Sequence, residues 1–127
     1  MRSPGRLNIK KTALEKRIEA MKNLLLLEPV GYLDFLCLMS NAALVMTDSG
    51  GIQEETTFLG VPCLTLMENT ERPTTVEKGT NMIVSCEKEK ILHAAHKILN
   101  GKAKRGSIPK LWDGRTAERI VDILIKP

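Results

Sequence analysis

The feature that most constrains the fold is a repeated pattern: a short, nearly unbroken apolar run followed by two or three turns' worth of helix-forming sequence. Asn23–Leu27 leads to Glu28-Pro29, and Ala42–Met46 leads to Thr47-Asp48-Ser49-Gly50-Gly51. Val61–Met67 ends in Glu68-Asn69-Thr70, and Asn81–Cys86 ends in Glu87. Runs continuous in Leu, Val and Ile, rather than alternating, belong to parallel strands covered on both faces. Tyr32–Asn41, Gly51–Leu59 and Arg72–Lys78 lie between them as helices. Beyond the last run, Ile91, Leu92, Ala95, Ile98 and Leu99 recur at helical spacing, and Asn100-Gly101 supplies a stop. A final helix is expected from about Arg115 to Ile125, with Ala117, Ile120, Val121 and Leu124 on one stripe. Ahead of the first run, Leu7, Leu14, Ile18 and Met21 form another amphipathic stripe. The expectation is an α/β fold: a Rossmann-like open parallel sheet of about four strands with flanking helices and right-handed crossovers. Ligands of such sheets sit beyond the carboxyl ends of the strands, so the strand-to-helix turns should carry the chemistry.

At 127 residues the chain has room for one domain. It contains no apolar stretch near the roughly 18 residues that span a bilayer. The basic start is not followed by the apolar core of a secretory signal. Cys37, Cys63 and Cys86 are odd in number and widely spaced, which suggests neither a disulfide framework nor a zinc knuckle. The expected setting is therefore the reducing cytoplasm, with no membrane partner. The formal charge of +4 is concentrated at one end. Residues 1–22 hold seven Lys/Arg and two Glu, whereas the remaining 105 hold twelve Lys/Arg and thirteen Asp/Glu. The chain thus divides into a basic amphipathic N-terminal helix, 1–22, and a near-neutral domain, 23–127. With four aromatics in all (Tyr32, Phe35, Phe58, Trp112), nucleic acid is not an expected partner.

Asp48-Ser49-Gly50-Gly51 lies directly between an apolar run and a helix. Two glycines let the backbone approach a ligand closely, and the N–H groups of the next helical turn, with the helix dipole, suit a phosphate. From these four residues alone, a tight turn with a serine cap accounts for the sequence equally well. Glu55, six residues past Ser49, tilts the balance, because a carboxylate there could accept from two vicinal ribose hydroxyls. The same four residues also resemble the nucleophile region of trypsin-like proteases. The α/β context, and Thr47 and Ile52 on either side, exclude that reading.

Three motifs then occur in order: Glu28-Pro29-Val30-Gly31-Tyr32-Leu33-Asp34-Phe35-Leu36, Thr47 through Glu55, and Asn69-Thr70-Glu71-Arg72-Pro73. Together with Trp112-Asp113-Gly114-Arg115-Thr116-Ala117-Glu118-Arg119-Ile120, they resemble the C-terminal half of the non-hydrolysing UDP-N-acetylglucosamine 2-epimerases. The resemblance runs from about Asn23 to Lys126. It implies one half of a glycosyltransferase-B fold, with UDP or a UDP-sugar bound. Phe35 would then pack on uracil, and the base edge would meet the loop at Val30, where some relatives carry a polar residue. Ser49, Gly50 and Gly51 match the phosphate-binding positions, Glu55 the ribose-binding glutamate, and Arg72 an arginine close to the phosphates. Without the resemblance, Arg72 reads as a surface residue pairing with Glu71 or Glu77.

The family's reaction eliminates UDP and re-adds it with C2 inverted, without metal or nicotinamide. Its proton-transfer carboxylates lie in an N-terminal domain that this sequence lacks, so the chain offers no catalytic residue and calls for an N-terminal partner chain. Two alternatives remain. An uncovered sheet edge could pair with a second copy, making a homodimeric structural or regulatory domain. A fragment of a UDP-sugar glycosyltransferase would use a similar turn and glutamate. Glu89, His93 and His96 fall at helical spacing but read as a solvated face, not a metal site. The basic run Lys97, Lys102, Lys104, Arg105 and Lys110 reads as solvated too.

Overall fold

In the computed structural model, residues 16–18 and 20–126 are described, and the chain divides into two compact units, Met1–Gly31 and Tyr32–Pro127. The second unit contains every strand among the described residues. Its elements run α1 (Tyr32–Ser40), β1 (Val45–Thr47), α2 (Gly50–Leu59), β2 (Cys63–Thr65), α3 (Pro73–Glu77), β3 (Asn81–Ile83), α4 (Lys88–Leu99) and α5 (Thr116–Leu124). The strands pair in parallel in the order β1-β2-β3, with Val45, Cys63 and Asn81 in register.

The sheet therefore has three strands, not four. The apolar run Asn23–Leu27 belongs to the other unit and forms no strand, and Leu24 to Leu27 are exposed. An apolar run becomes a strand only where a neighbour accepts its ladder, and none of the described strands pairs with it. Leu7 and Leu14 of the expected N-terminal stripe lie outside the described residues.

The two faces of the sheet are chemically different. On one, Leu64, Val84, Ala94 and Ile98 form the buried apolar cluster, flanked by partly buried Leu44, Leu66, Met82 and Ile91. Ala94, Ile98 and Ile91 come from α4, so the helical stripe seen in the sequence is what covers this face. On the other face, β2 and β3 present Thr65 and Asn81, both fully buried, toward buried Gln53 and Thr56 of α2 and Thr75 of α3. Period-2 alternation in β2 separates the two sets: Leu64 enters the apolar cluster and Thr65 the polar one.

Two glycines act through geometry. Gly60 ends α2 at φ 72°, donating to the carbonyls of Thr56 and Thr57. Gly79 has no room for a side chain, because a Cβ would fall 2.3 Å from Thr57 Oγ1 and 2.6 Å from the Thr75 carbonyl. The basic loop after α4 is docked by its backbone: Ser107 N–H donates to the Lys78 carbonyl at 2.8 Å. Lys104 Nζ reaches the carbonyls of Val76 and Asn81, and this partial burial lowers the pKa of its ammonium. Helix α5 buries none of its residues; Ile120, Val121 and Leu124 of its apolar stripe are exposed.

Candidate functional site

The β1–α2 turn builds the first part of the site. Thr47 ends β1, and its Oγ1 accepts the Ser49 N–H at 3.0 Å, which turns the chain out of the sheet. Ser49 occupies the N-cap position with extended backbone (φ −81°, ψ 126°), but its hydroxyl makes no capping bond. Its carbonyl accepts the Gln53 N–H. Gly50 and Gly51 form the first helical turn, so α2 begins with its unbonded N–H groups beside two residues that lack side chains.

Arg72 approaches this turn from the β2–α3 connection. A Cβ built on Gly50 would lie 3.7 Å from Arg72 Cγ and Nε, so the guanidinium and the helix start are neighbours. Together with Gly51, Gln53 and Thr70 they line a cleft of about 390 Å³, which Asp48 and Glu71 also border. Arg72 Nε donates to Glu54 Oε1 at 2.9 Å.

A chain of neutral hydrogen bonds fixes the backbone of Arg72. Its N–H donates to Thr70 Oγ1 at 3.0 Å, and Thr70 Oγ1 bonds Gln53 Oε1 at 2.6 Å. Its carbonyl accepts from Thr75 Oγ1 at 2.7 Å, and Asn81 Nδ2 joins Thr75 Oγ1 and Gln53 Oε1 at 3.0 and 3.1 Å. Thr65 Oγ1 closes the chain on Asn81 Oδ1 at 2.6 Å. Interior hydrogen bonds of this kind hold a unique arrangement because each unpaired group would cost about 1–3 kcal/mol. Gln53 and Thr70 belong to two of the sequence motifs but carry no assigned role there, and Thr75 and Asn81 belong to no motif. A polar residue at the head of an apolar run, as Asn81 is, carries no periodic signal of its own.

Glu55 lies one turn further along α2 and lines a different, mostly apolar cleft of about 410 Å³ with Tyr32, Leu36, Phe58 and Trp112. Tyr32 Oη donates to Glu55 Oε1 at 3.0 Å. That bond, with the carboxylate's charge, raises the Tyr32 pKa above its ordinary value. Oε2 of Glu55 bonds no described residue. The two clefts share helix α2 and meet at Glu54, which lines the second and pairs with Arg72 of the first.

The structure thus brings Gly50, Gly51 and Arg72 together, places Ser49 at the same turn, and sets Glu55 in the adjoining cleft. Phe35, on α1, is partly exposed and lines neither cleft. Val30 belongs to the N-terminal unit. Among the described residues, no three His, Cys, Asp or Glu side chains gather as a metal site. No described helix is long and apolar enough to cross a membrane. Beyond Trp112, Asp113 accepts the Arg115 N–H and pairs with Arg119, which holds its carboxyl below the usual range and starts α5.

Comparison with known proteins gives a consistent result. Residues 7–125 match the model of the UDP-N-acetylglucosamine 2-epimerase family, beginning ahead of the motif-bearing segment. The chain is 47% identical over 116 residues to the UDP-N-acetylglucosamine 2-epimerase of Methanocaldococcus jannaschii, covering 91% of this chain and 31% of that protein. It is 37% identical over 108 residues to the Escherichia coli K12 enzyme, covering 82% and 29%. The solved M. jannaschii enzyme in complex with UDP-GlcNAc and UDP superposes with a TM-score of 0.74 at 48% identity, over 87% of this chain and 30% of that one. The Neisseria meningitidis enzyme bound to UDP-GlcNAc superposes with a TM-score of 0.74 at 32% identity, over 90% and 32%. The chain spans just under a third of the length of these relatives.

Proposed function

The chain belongs to the UDP-N-acetylglucosamine 2-epimerase family, and from that premise we propose that it is the UDP-binding portion of such an enzyme. On this reading the motif-bearing part of the chain holds UDP or a UDP-sugar, and an N-terminal domain supplied by another polypeptide or further sequence completes catalysis. The observation that carries the reading is the juxtaposition of the Ser49-Gly50-Gly51 helix start with Arg72, one helical turn from a half-free Glu55 carboxylate. A helix N-terminus with glycines binds phosphate through N–H groups, and Arg72 offsets the charge of the second phosphate. Glu55 Oε2, with the remaining lone pair of Oε1, can accept from both ribose hydroxyls while Tyr32 holds the carboxylate. Phe35, in the same unit as these residues, packs on uracil.

The proposed reaction is interconversion of UDP-GlcNAc and UDP-ManNAc by elimination and re-addition of UDP. In it this chain holds the leaving group and contributes no acid–base pair at C2. No metal or nicotinamide takes part, and the setting is cytoplasmic. Calorimetric titration of the 127-residue chain is expected to show UDP binding that Glu55→Ala abolishes. NMR of UDP-GlcNAc mixed with the chain should show no isomer exchange; turnover by the chain alone would sink the division of labour.

A second reading, a self-associating domain without catalysis, draws on the outer edges of β1 and β3 and on the uncovered apolar stripe of α5. A concentration-dependent dimer in analytical ultracentrifugation, with no heat on adding UDP, would favour it.

A further inference from the structure

Gln53 is 2% exposed and stands at the centre of the polar network. A backbone anchor, the Arg72 carbonyl, fixes the orientation of its side-chain amide. The Arg72 carbonyl can only accept, so Thr75 Oγ1 donates to it and must itself accept from Asn81 Nδ2. The same Asn81 nitrogen faces Gln53 at 3.1 Å and needs an acceptor there, which assigns that atom as Oε1. Thr70 donates to the same oxygen. The other branch is therefore Nε2, and it donates to no group among the described residues. Thr57 Oγ1 is the one fully buried side-chain polar atom left unpaired there, so Gln53 Nε2 keeps some accessible surface. Gln53 lines the cleft that Gly50, Gly51 and Arg72 border.

We propose that Gln53 is a further ligand-binding residue of this cleft, its Nε2 donating to a phosphoryl oxygen of the diphosphate at the start of α2. The proposal rests on the UDP reading above and adds a contact to it. A side chain this nearly buried that keeps one unpaired amide donor at a cleft is placed to meet an anion there. Oε1 already holds two bonds, so the amide is oriented before the ligand arrives and loses no rotamer freedom on binding. Gln53 thereby reads the diphosphate with one end and positions the Arg72 loop with the other.

Gln53 is the only glutamine in the chain, so its side-chain amide can be followed individually by ¹⁵N NMR. Titration of the labelled 127-residue chain with UDP is expected to shift the Gln53 amide pair, whereas uridine, which lacks phosphate, leaves it in place. Gln53→Glu keeps an acceptor for Thr70 and Asn81 but turns a carboxylate oxygen toward the diphosphate. It should raise the Kd for UDP about tenfold to a hundredfold and leave that for uridine within about twofold. If the variant proves unfolded by circular dichroism, the wild-type titration decides. UDP shifting the Gly50 and Gly51 backbone amides but not Gln53 would overturn this inference and leave the UDP reading intact. No shift anywhere with UDP would overturn both.

Discussion

Arg72 Nε donates to Glu54 Oε1 at 2.9 Å, so the guanidinium that faces the start of α2 is already paired with a carboxylate from that helix's second turn. The side chains are 44% and 43% exposed, which limits such a pair to about 0–1 kcal/mol. It is weak enough for a diphosphate to displace and strong enough to hold Arg72 near its working position.

Removing the competitor should therefore help binding. Glu54→Gln is expected to tighten UDP binding about twofold to fivefold, since it releases Arg72 and removes a negative charge near the phosphates. Arg72→Met should weaken it about tenfold or more. Calorimetry on the two variants checks both; a weaker complex with Glu54→Gln would mean that Glu54 orients Arg72 instead of competing for it.

Tyr32 is the only tyrosine in the chain, so ultraviolet absorbance of the phenolate reports on it alone. Its bond to Glu55 raises its pKa above the ordinary 10.0. The sign follows: the bond is fully present below pH 10 and is lost as pH rises through the raised value. Wild type should titrate above 10, and Glu55→Gln should bring the midpoint back toward 10. Saturating UDP should leave a raised midpoint if the hydroxyl keeps its partner in the complex.

Gly50 and Gly79 should respond to alanine in opposite ways. At Gly50 the new methyl would meet only the Arg72 side chain, at an ordinary 3.7 Å, so the fold should tolerate it while UDP binding falls. At Gly79 the methyl would lie 2.3 Å from Thr57 Oγ1 and 2.6 Å from a backbone carbonyl. Gly79→Ala should cost about 1–3 kcal/mol. Urea denaturation together with UDP titration separates a site defect from a folding defect.

Asn81 tests the network directly. It is fully buried and bonded to Thr65, Thr75 and Gln53. Asn81→Leu is nearly the same size but leaves all three partners short of a bond, and should destabilise the fold by about 3 kcal/mol. A change below about 0.5 kcal/mol in urea denaturation would contradict the account of this face of the sheet.

The architecture was legible in the sequence because Ala42–Met46, Val61–Met67 and Asn81–Cys86 are nearly continuous apolar runs: β2 and β3 lie inside theirs, and β1 starts in the first at Val45 and runs one residue past it to Thr47. The helices after them appear within a residue or two of their expected bounds at most ends, though α4 starts three residues before the first residue of its apolar stripe, at Lys88. Asn23–Leu27 has the same composition and forms no strand, because pairing is a property of neighbours and not of the run itself. At the site, Gly50, Gly51 and Arg72 were readable as motif residues. The threonines were not: Thr65 sits inside an apolar run and Thr75 in a short polar helix, and their partners lie 16 and 6 residues away, both at Asn81. The Tyr32–Glu55 bond spans 23 residues and joins two helices, a pairing that no local pattern encodes.

The Gln53–Thr70–Asn81–Thr75–Thr65 network contains no ionisable group, which has a consequence for conditions of use. The scaffold that sets the height of Arg72 over the helix start should be indifferent to pH across the range where the protein stays folded, and nearly indifferent to ionic strength. Salt can then reach the cleft only through its charged rim, Asp48, Glu71 and Arg72, and through Glu54, which pairs with Arg72. A drop in ligand affinity with added salt would accordingly report weakened attraction at an unmoved site.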